Sequence, residues 1–453
     1  MTLLAALPLL AGLAQPAQQP DPLARERVAG ALGARLDARL ARYAEYGFSG
    51  TVLVARGGQV VLLKGYGLAD VERGVRNTAE TRFEMNSMTK MFTAAAVLQL
   101  AARGRLRLDD PAARHLPGFP PEKRGATVEQ LASHTAGLVV QGSNLAGHSR
   151  EAFVRDVART PRESAPGERY RYTNAGYSLL AAIVEVASGQ TYEEYLRRNI
   201  FAPAGMRTAL FRDEVPAGDR RFAHGYVGTP AALRPGPPNP YVWGTIGAGG
   251  VWATVGDVYR WMAALEAGRI LPPEQWRLLT SPPRPPSQEA FGWHVDADPA
   301  GRPRIHKGGG SDDFASQIQY YPRDRVVVVW ASNNLRQRWR QTLNQSIPAL
   351  VFGGEGAVSL PPVARVARTT LAARAGRFVA GSDTLELRAG AGWLYAAENR
   401  LGVPTNVMFF PQDGARFTAF DPALRAVTRL ELAAGPAVFT LADGRRVEAR
   451  RMR

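Results

Sequence analysis

An α/β fold followed by a small C-terminal β domain is what the 453-residue sequence predicts, and three observations carry that expectation. Gly50 to Val54 and Val60 to Lys64 are apolar, β-branched runs joined across Arg56-Gly57-Gly58, which is a hairpin signature. Ile305 to Gly309, Ser316 to Tyr321 and Val326 to Trp330 repeat the strand pattern late in the chain, with tight connections that predict an antiparallel meander. Between these strand groups, Met88 to Ala102 and Ala175 to Ala187 are apolar runs that stop before Gly104 and Gly189 and predict buried helices.

The remaining elements follow in order. Asp21-Pro22 resembles an N-cap followed by Pro at the first helical position, and Leu32, Leu36 and Leu40 recur every four residues, so an amphipathic helix is expected from there to about Tyr43. Asp257 to Ala267 predicts another short amphipathic helix. After Pro361-Pro362 the helical signal fades, and alternating runs such as Leu385-Glu386-Leu387 take over. The expected organisation is a signal-like segment at 1–19, a main domain at 20–355, and a linker with a small β domain at 356–453.

Composition narrows the function. With 45% hydrophobic and 21% charged residues, the chain can bury a large core, which argues against global disorder. The formal charge is +16, yet the 56 basic residues, all but four of them Arg, are spread along the chain, whereas nucleic-acid binders concentrate theirs in a patch. A nucleic-acid partner is therefore not expected. The absence of Cys removes disulfides and thiolate catalysis, and His115, His134, His148, His224, His294 and His306 show no zinc-ligand spacing, so no metal or other cofactor is expected. Leu3 to Ala14 is an apolar run ending in small residues, similar to a secretory signal although it lacks a positive n-region; it predicts export to the periplasm or medium, and it is too short to span a membrane.

Three short motifs bear chemistry. Ser87-Met88-Thr89-Lys90 places an amine one helical turn from a hydroxyl, and a Ser hydroxyl becomes a good nucleophile when a neighbouring neutral base takes its proton. Burial in an apolar helix beside another cation lowers a lysine pKa in the required direction. Asn86 is in position to cap that helix, leaving the Ser87 N–H to favour developing negative charge. In Tyr172-Thr173-Asn174, the two outer side chains share one side of an extended segment; Tyr172 relays a proton if nearby Lys cations acidify its phenol, and the Asn174 amide orients Lys90. In His306-Lys307-Gly308-Gly309-Gly310, Lys307 offers a cation to a substrate carboxylate, and the Gly310 and Ser87 N–H groups together form an oxyanion hole. Each motif alone has an ordinary explanation: an exposed helical pair, a buried Tyr with a capping Asn, a Gly-rich hairpin.

Taken in this order the three motifs resemble the serine β-lactamase and penicillin-binding-protein superfamily, specifically its class C-like branch of β-lactamases, D-amino-acid peptidases and esterases. Leu131 to Leu138, Tyr172 to Tyr177, Gly247 to Trp252 and the run from His306 to Ser316 extend the resemblance over roughly residues 45 to 340. It implies a central antiparallel sheet flanked by helices, with a helical lobe inserted between early and late strands. It further implies Ser87 as acyl-accepting nucleophile, Lys90 and Tyr172 as proton-transfer partners, Asn174 as orienting amide, Lys307 as carboxylate anchor, and Gln141 reaching the cleft from the helical lobe. The substrate would be a small-molecule or peptidoglycan-like acyl donor: an ester, a D-amino-acid peptide or a β-lactam. The rival expectation is a ligand-sensing or penicillin-binding protein that keeps the fold without efficient turnover. The motif has Gly308 where relatives carry Thr or Ser, so one hydroxyl donor is missing; such a loss weakens carboxylate binding by roughly 1–3 kcal/mol. No Gly-x-Ser-x-Gly elbow surrounds Ser87, which argues against a Ser-His-Asp hydrolase. Oligomeric state is not legible.

Overall fold

The computed structural model describes residues 21–119, 125–139, 149–229, 232–237, 240–334, 339–390, 392–399, 407–422, 425–433 and 435–452. The signal-like segment and Gln141 lie outside them. Strand β1 (Arg27–Val28) precedes helix α1 (Gly30–Glu45), followed by the hairpin β2 (Gly50–Arg56) and β3 (Gln59–Tyr66). Helix α1 thus begins later than Asp21-Pro22 predicted. The Asp21 carboxylate instead accepts the Leu23 N–H at 3.0 Å in a turn, and Arg27 and Val28 are drawn into the sheet beside Leu63 and Leu62. The four-residue repeat of leucines still marks the buried stripe, with Leu36, Leu40 and Tyr43 inside.

Late in the chain, β4 (His294–Ala297), β5 (Pro303–Gly310), β6 (Ala315–Tyr321) and β7 (Val326–Ser332) complete a seven-stranded antiparallel sheet in the order β1-β3-β2-β7-β6-β5-β4. The sheet closes between the first and last thirds of the main domain because β7 pairs with β2, Val329 opposite Leu53 and Trp330 opposite Val52. Successive side chains on a strand point to opposite faces, and here both faces are covered. Leu53, Leu63, Val327 and Val329 enter a large core shared with the helical lobe. Val52, Val54, Leu62, Val328 and Trp330 enter a second core under α1 and a later helix.

Helix α2 (Thr89–Ala102) crosses the first core and is buried on all sides from Thr89 to Leu100, as its Ala- and Leu-rich sequence predicts. Helices α3 (Asn174–Ser188) and α4 (Val255–Glu266) pack in the same core. Gly189 ends α3 in the left-handed conformation at φ 74°, the cap its sequence position anticipates. Helix α5 (Arg340–Val351) covers the second core.

Beyond a short helix at Arg368–Arg374, eight strands between Gly376 and Arg451 form a closed barrel. Closure pairs every strand on both sides and so removes exposed sheet edges. The alternation read in Leu385-Glu386-Leu387 is its signature, since both leucines are buried with Phe378, Phe409, Phe417 and Phe439 inside the barrel. The barrel docks on the second core through aromatic pairs, Phe410 on Tyr46 at 4.8 Å and Phe420 on Trp339 at 5.6 Å between ring centroids. No helix among the described residues is long and apolar enough to cross a membrane.

Candidate active site

Ser87 stands in a single 3-10 turn, Asn86–Met88, that leads directly into α2. Asn86 does not cap the helix as expected: its backbone has φ 48° and it makes no side-chain cap, because the turn must redirect the chain out of the strand Phe83–Glu84. Behind this turn the β5 backbone approaches so closely that a Cβ on Gly309 would lie 1.9 Å from the Met85 carbonyl oxygen. The glycine run of the third motif is thus what lets the sheet reach the nucleophile turn. The Ser316 hydroxyl ties the same carbonyl to β6 at 2.9 Å.

Lys90 is fully buried one turn after Ser87. Its Nζ donates to Asn174 Oδ1 at 2.7 Å and to the Ala248 carbonyl at 2.9 Å, and lies 3.1 Å from Ser87 Oγ. Burial, and secondarily the charge of Lys307, hold the Lys90 pKa well below the lysine range, against an opposing pull from Glu289. The Tyr172 hydroxyl donates to Ser87 Oγ at 2.9 Å. Its phenol is not acidified, contrary to the sequence-based expectation. Burial pushes its pKa up, and a nearby carboxylate, Glu289, adds to the rise.

That carboxylate is the group sequence reasoning missed. Glu289 is buried, on the segment that leads into β4, and its Oε2 accepts from Lys307 Nζ at 2.5 Å. Tyr170 donates to its other oxygen at 3.2 Å, and His134 and His294 stand 3.8 and 3.3 Å away. Burial alone would raise the Glu289 pKa, but Lys307, His134 and His294 together carry it well below the carboxylate range. His134 accepts the Thr173 N–H at Nδ1 and packs its ring 4.4 Å from that of Tyr172, so it fixes the Tyr172 segment. Burial depresses its pKa to about 3, which leaves it neutral. In the sequence, Glu289 is one acid before Ala290-Phe291-Gly292-Trp293, and an acid flanked by bulky apolar residues is a weak signal of burial.

Ser87, Tyr172, Lys307, Gly310 and Glu289 all line one cavity of about 500 Å³, and Asn174 reaches the site through Lys90. A second missed residue, Arg340 at the start of α5, lines the same cavity. Asp70, Glu72 and His224 also gather; Arg73 bonds to Asp70 and to His224 Nε2, and Tyr226 donates to one oxygen of Glu72, so the cluster is tied into an ion-pair and hydrogen-bond network.

Residues 27–347 match the family model described as Beta-lactamase. Penicillin-binding protein 4* of Bacillus subtilis (strain 168) is 28% identical over 331 residues, which cover 68% of this chain and 73% of that protein. Protein flp of Staphylococcus aureus (strain COL) is 28% identical over 305 residues, 62% of this chain, and the match spans 59% of its length. Among solved structures, the octameric penicillin-binding protein homologue from Pyrococcus abyssi superposes with a TM-score of 0.64 at 22% identity, over 93% of this chain and all of that one; the likeness is one of fold. With the family model spanning both the Ser87 helix and the Lys307 strand, the chain belongs to the Beta-lactamase family, the superfamily of serine hydrolases and acyltransferases that includes the penicillin-binding proteins.

Proposed function

We propose that the protein is a serine hydrolase that works through an acyl-enzyme on Ser87, with small esters, D-amino-acid peptides or β-lactams as acyl donors. The observation that carries this reading is the bonding of Lys90. A neutral amine has two N–H groups and one lone pair, and the Asn174 and Ala248 oxygens can only accept, so they take both N–H groups. The lone pair is left for the Ser87 hydroxyl, which is the arrangement of a general base. As Ser87 Oγ bonds to the acyl carbon, its proton passes to Lys90. The Tyr172 hydroxyl, kept protonated by burial, donates to the same oxygen and is placed to pass its proton to the leaving group as the bond to carbon breaks, while Lys90 returns to Tyr172 the proton it took from Ser87, so that both groups end neutral. The Ser87 and Gly310 N–H groups serve as oxyanion donors, and water then cleaves the ester and restores Ser87. The apolar N-terminal run favours action outside the cytoplasm, where peptidoglycan-like acyl donors occur.

Intact-protein mass spectrometry after exposure to a fluorophosphonate and to a chromogenic cephalosporin tests the reading. One adduct per chain is expected, mapping to the Ser87 peptide and absent from Ser87→Ala; an adduct elsewhere, or one that persists in the alanine variant, refutes it. A cephalosporin adduct that forms on Ser87 and lasts for hours would favour the ligand-sensing alternative. Tyr172→Phe keeps the ring packed on His134 but removes the proton donor, so kcat/KM for an ester should fall by about 10²-fold, measured with a chromogenic ester.

A further inference from the structure

Of the ion pairs against the cavity, that of Lys307 with Glu289 is buried on both sides, whereas Arg304 meets an exposed Asp296. A buried pair gains little over apolar side chains of the same volume, because desolvation offsets most of the attraction. Stability alone therefore does not account for a carboxylate at this place. Glu289 is nevertheless held there from several directions. Its N–H donates to Ser287 Oγ at 3.2 Å, and that hydroxyl donates to the Ser133 carbonyl at 2.9 Å, next to His134. Just beyond it, the backbones of Ala290 and Trp293 close a mutual pair of hydrogen bonds at 2.7 and 2.9 Å. On the carboxylate, Oε2 takes the Lys307 ammonium, while Tyr170 and His294 reach Oε1.

What this pair controls is the field at Lys90. Lys307 Nζ and Lys90 Nζ lie 5.6 and 5.0 Å from the centroid of the same ring, that of Tyr172, so the two lysines share one buried space. Charges at such separations inside a protein are screened far less than in water. Lys307 acts against the charged form of Lys90, and Glu289 acts for it. No other group takes over that role. Burial keeps His134 neutral, disfavours the charged form of His294, and raises the phenols of Tyr170, Tyr172 and Tyr177. Arg304 and Arg340 line the cavity as cations, and Glu289 is the one acid among the described residues that line it. A general base works best when its pKa lies near the working pH; pushed far lower, it takes the serine proton weakly.

From this geometry we propose that Glu289 is a positioning residue for acyl transfer: by closing the Lys307 ammonium into a buried pair beside Lys90, it shields the base from a second positive charge and so tunes it for the Ser87 proton. The proposal rests on the acyl-enzyme reading of Ser87 and Lys90, and Glu289 acts in it through Lys307.

The test titrates Lys90 itself. The chain has four lysines, so isotope-labelled lysine gives four side-chain NMR resonances, and the one lost in Lys90→Met belongs to Lys90. Lys307→Met, which leaves the carboxylate and removes the cation, should move the Lys90 midpoint up by about one pH unit or more, and Glu289→Gln should move it down by about as much. The double variant should fall between the two. The acid limb of kcat/KM for a chromogenic ester should move in the same order. A packing defect lowers rates but does not displace the midpoint in opposite directions. A midpoint unmoved in the two single variants, or displaced the same way in both, overturns the assignment. Where Glu289→Gln does not fold, Lys307→Met and the double variant still differ only in the carboxylate, and equal midpoints in those two overturn it as well. If no ester is turned over, the hydrolase reading fails by itself, and the NMR midpoints still decide the role of Glu289.

Discussion

Lys90→Met should lower kcat/KM by about a thousandfold or more while leaving the fold intact, because it removes the base and keeps the volume. The replaced side chain lies in a helix that is apolar on every side, where an unbranched thioether packs without strain. Asn174 Oδ1 and the Ala248 carbonyl lose their donor, so the variant tests the proton path together with its anchors. Pre-steady-state acylation and circular dichroism, run side by side, separate lost chemistry from lost structure; more than a tenth of the parent rate in a folded variant would exclude the amine as base. The pH profile carries the same signature. Acylation needs neutral Lys90, so the rate should rise with pH along a limb centred well below the ordinary lysine value of 10.5, and that limb should vanish in Lys90→Met. The stability sign runs the other way from a favourable ion pair. Between its folded value and 10.5 the unfolded chain holds a proton on Lys90 that the folded chain has released, so stability rises with pH across that window.

Glu289→Gln is expected to cost about 3–5 kcal/mol of stability, since it leaves the Lys307 ammonium buried without its counter-charge. Both side chains are almost wholly inside, at 2% and 1% exposure, so solvent cannot screen the orphaned charge. Chemical denaturation measures the loss, and Glu289→Gln combined with Lys307→Met should recover most of it, because removing both partners leaves no unmatched ion. A double variant no more stable than the single one would show that Glu289 acts through other contacts. Acid gives an independent check. The folded pKa of Glu289 lies below its unfolded value near 4.5, so its contribution is complete above that value and fades as pH falls toward the folded one. Glu289→Gln should accordingly flatten the acid limb of the stability curve.

Much of the fold was legible because its signals are local. The β2–β3 hairpin was announced by Gly57-Gly58, the meander by its turns, and α2 and α3 by apolar runs with glycine stops. The start of α1 was misplaced because Pro22 and Asp21 fit a helix start and a simple turn equally well, and pairing of Arg27 and Val28 with β3 decided between them. Asn86 failed as a cap for a similar reason: its residue type suits the role, but the bend from strand into α2 demanded a positive φ.

What the sequence determined by itself is the chemistry carried within a single turn or a short segment: a hydroxyl and an amine three residues apart on a buried helix, a glycine-rich strand, and alternating leucines beyond residue 360. What only the tertiary structure decided is the electrostatic state of those groups. Glu289 meets Lys307, the Ala248 carbonyl meets Lys90 across 158 residues, and the barrel's Phe420 holds the tryptophan that precedes Arg340. Periodicity shows which face of an element is buried, but the pKa of a buried group depends on which distant charge shares its low-dielectric surroundings, and that is set when the sheet closes.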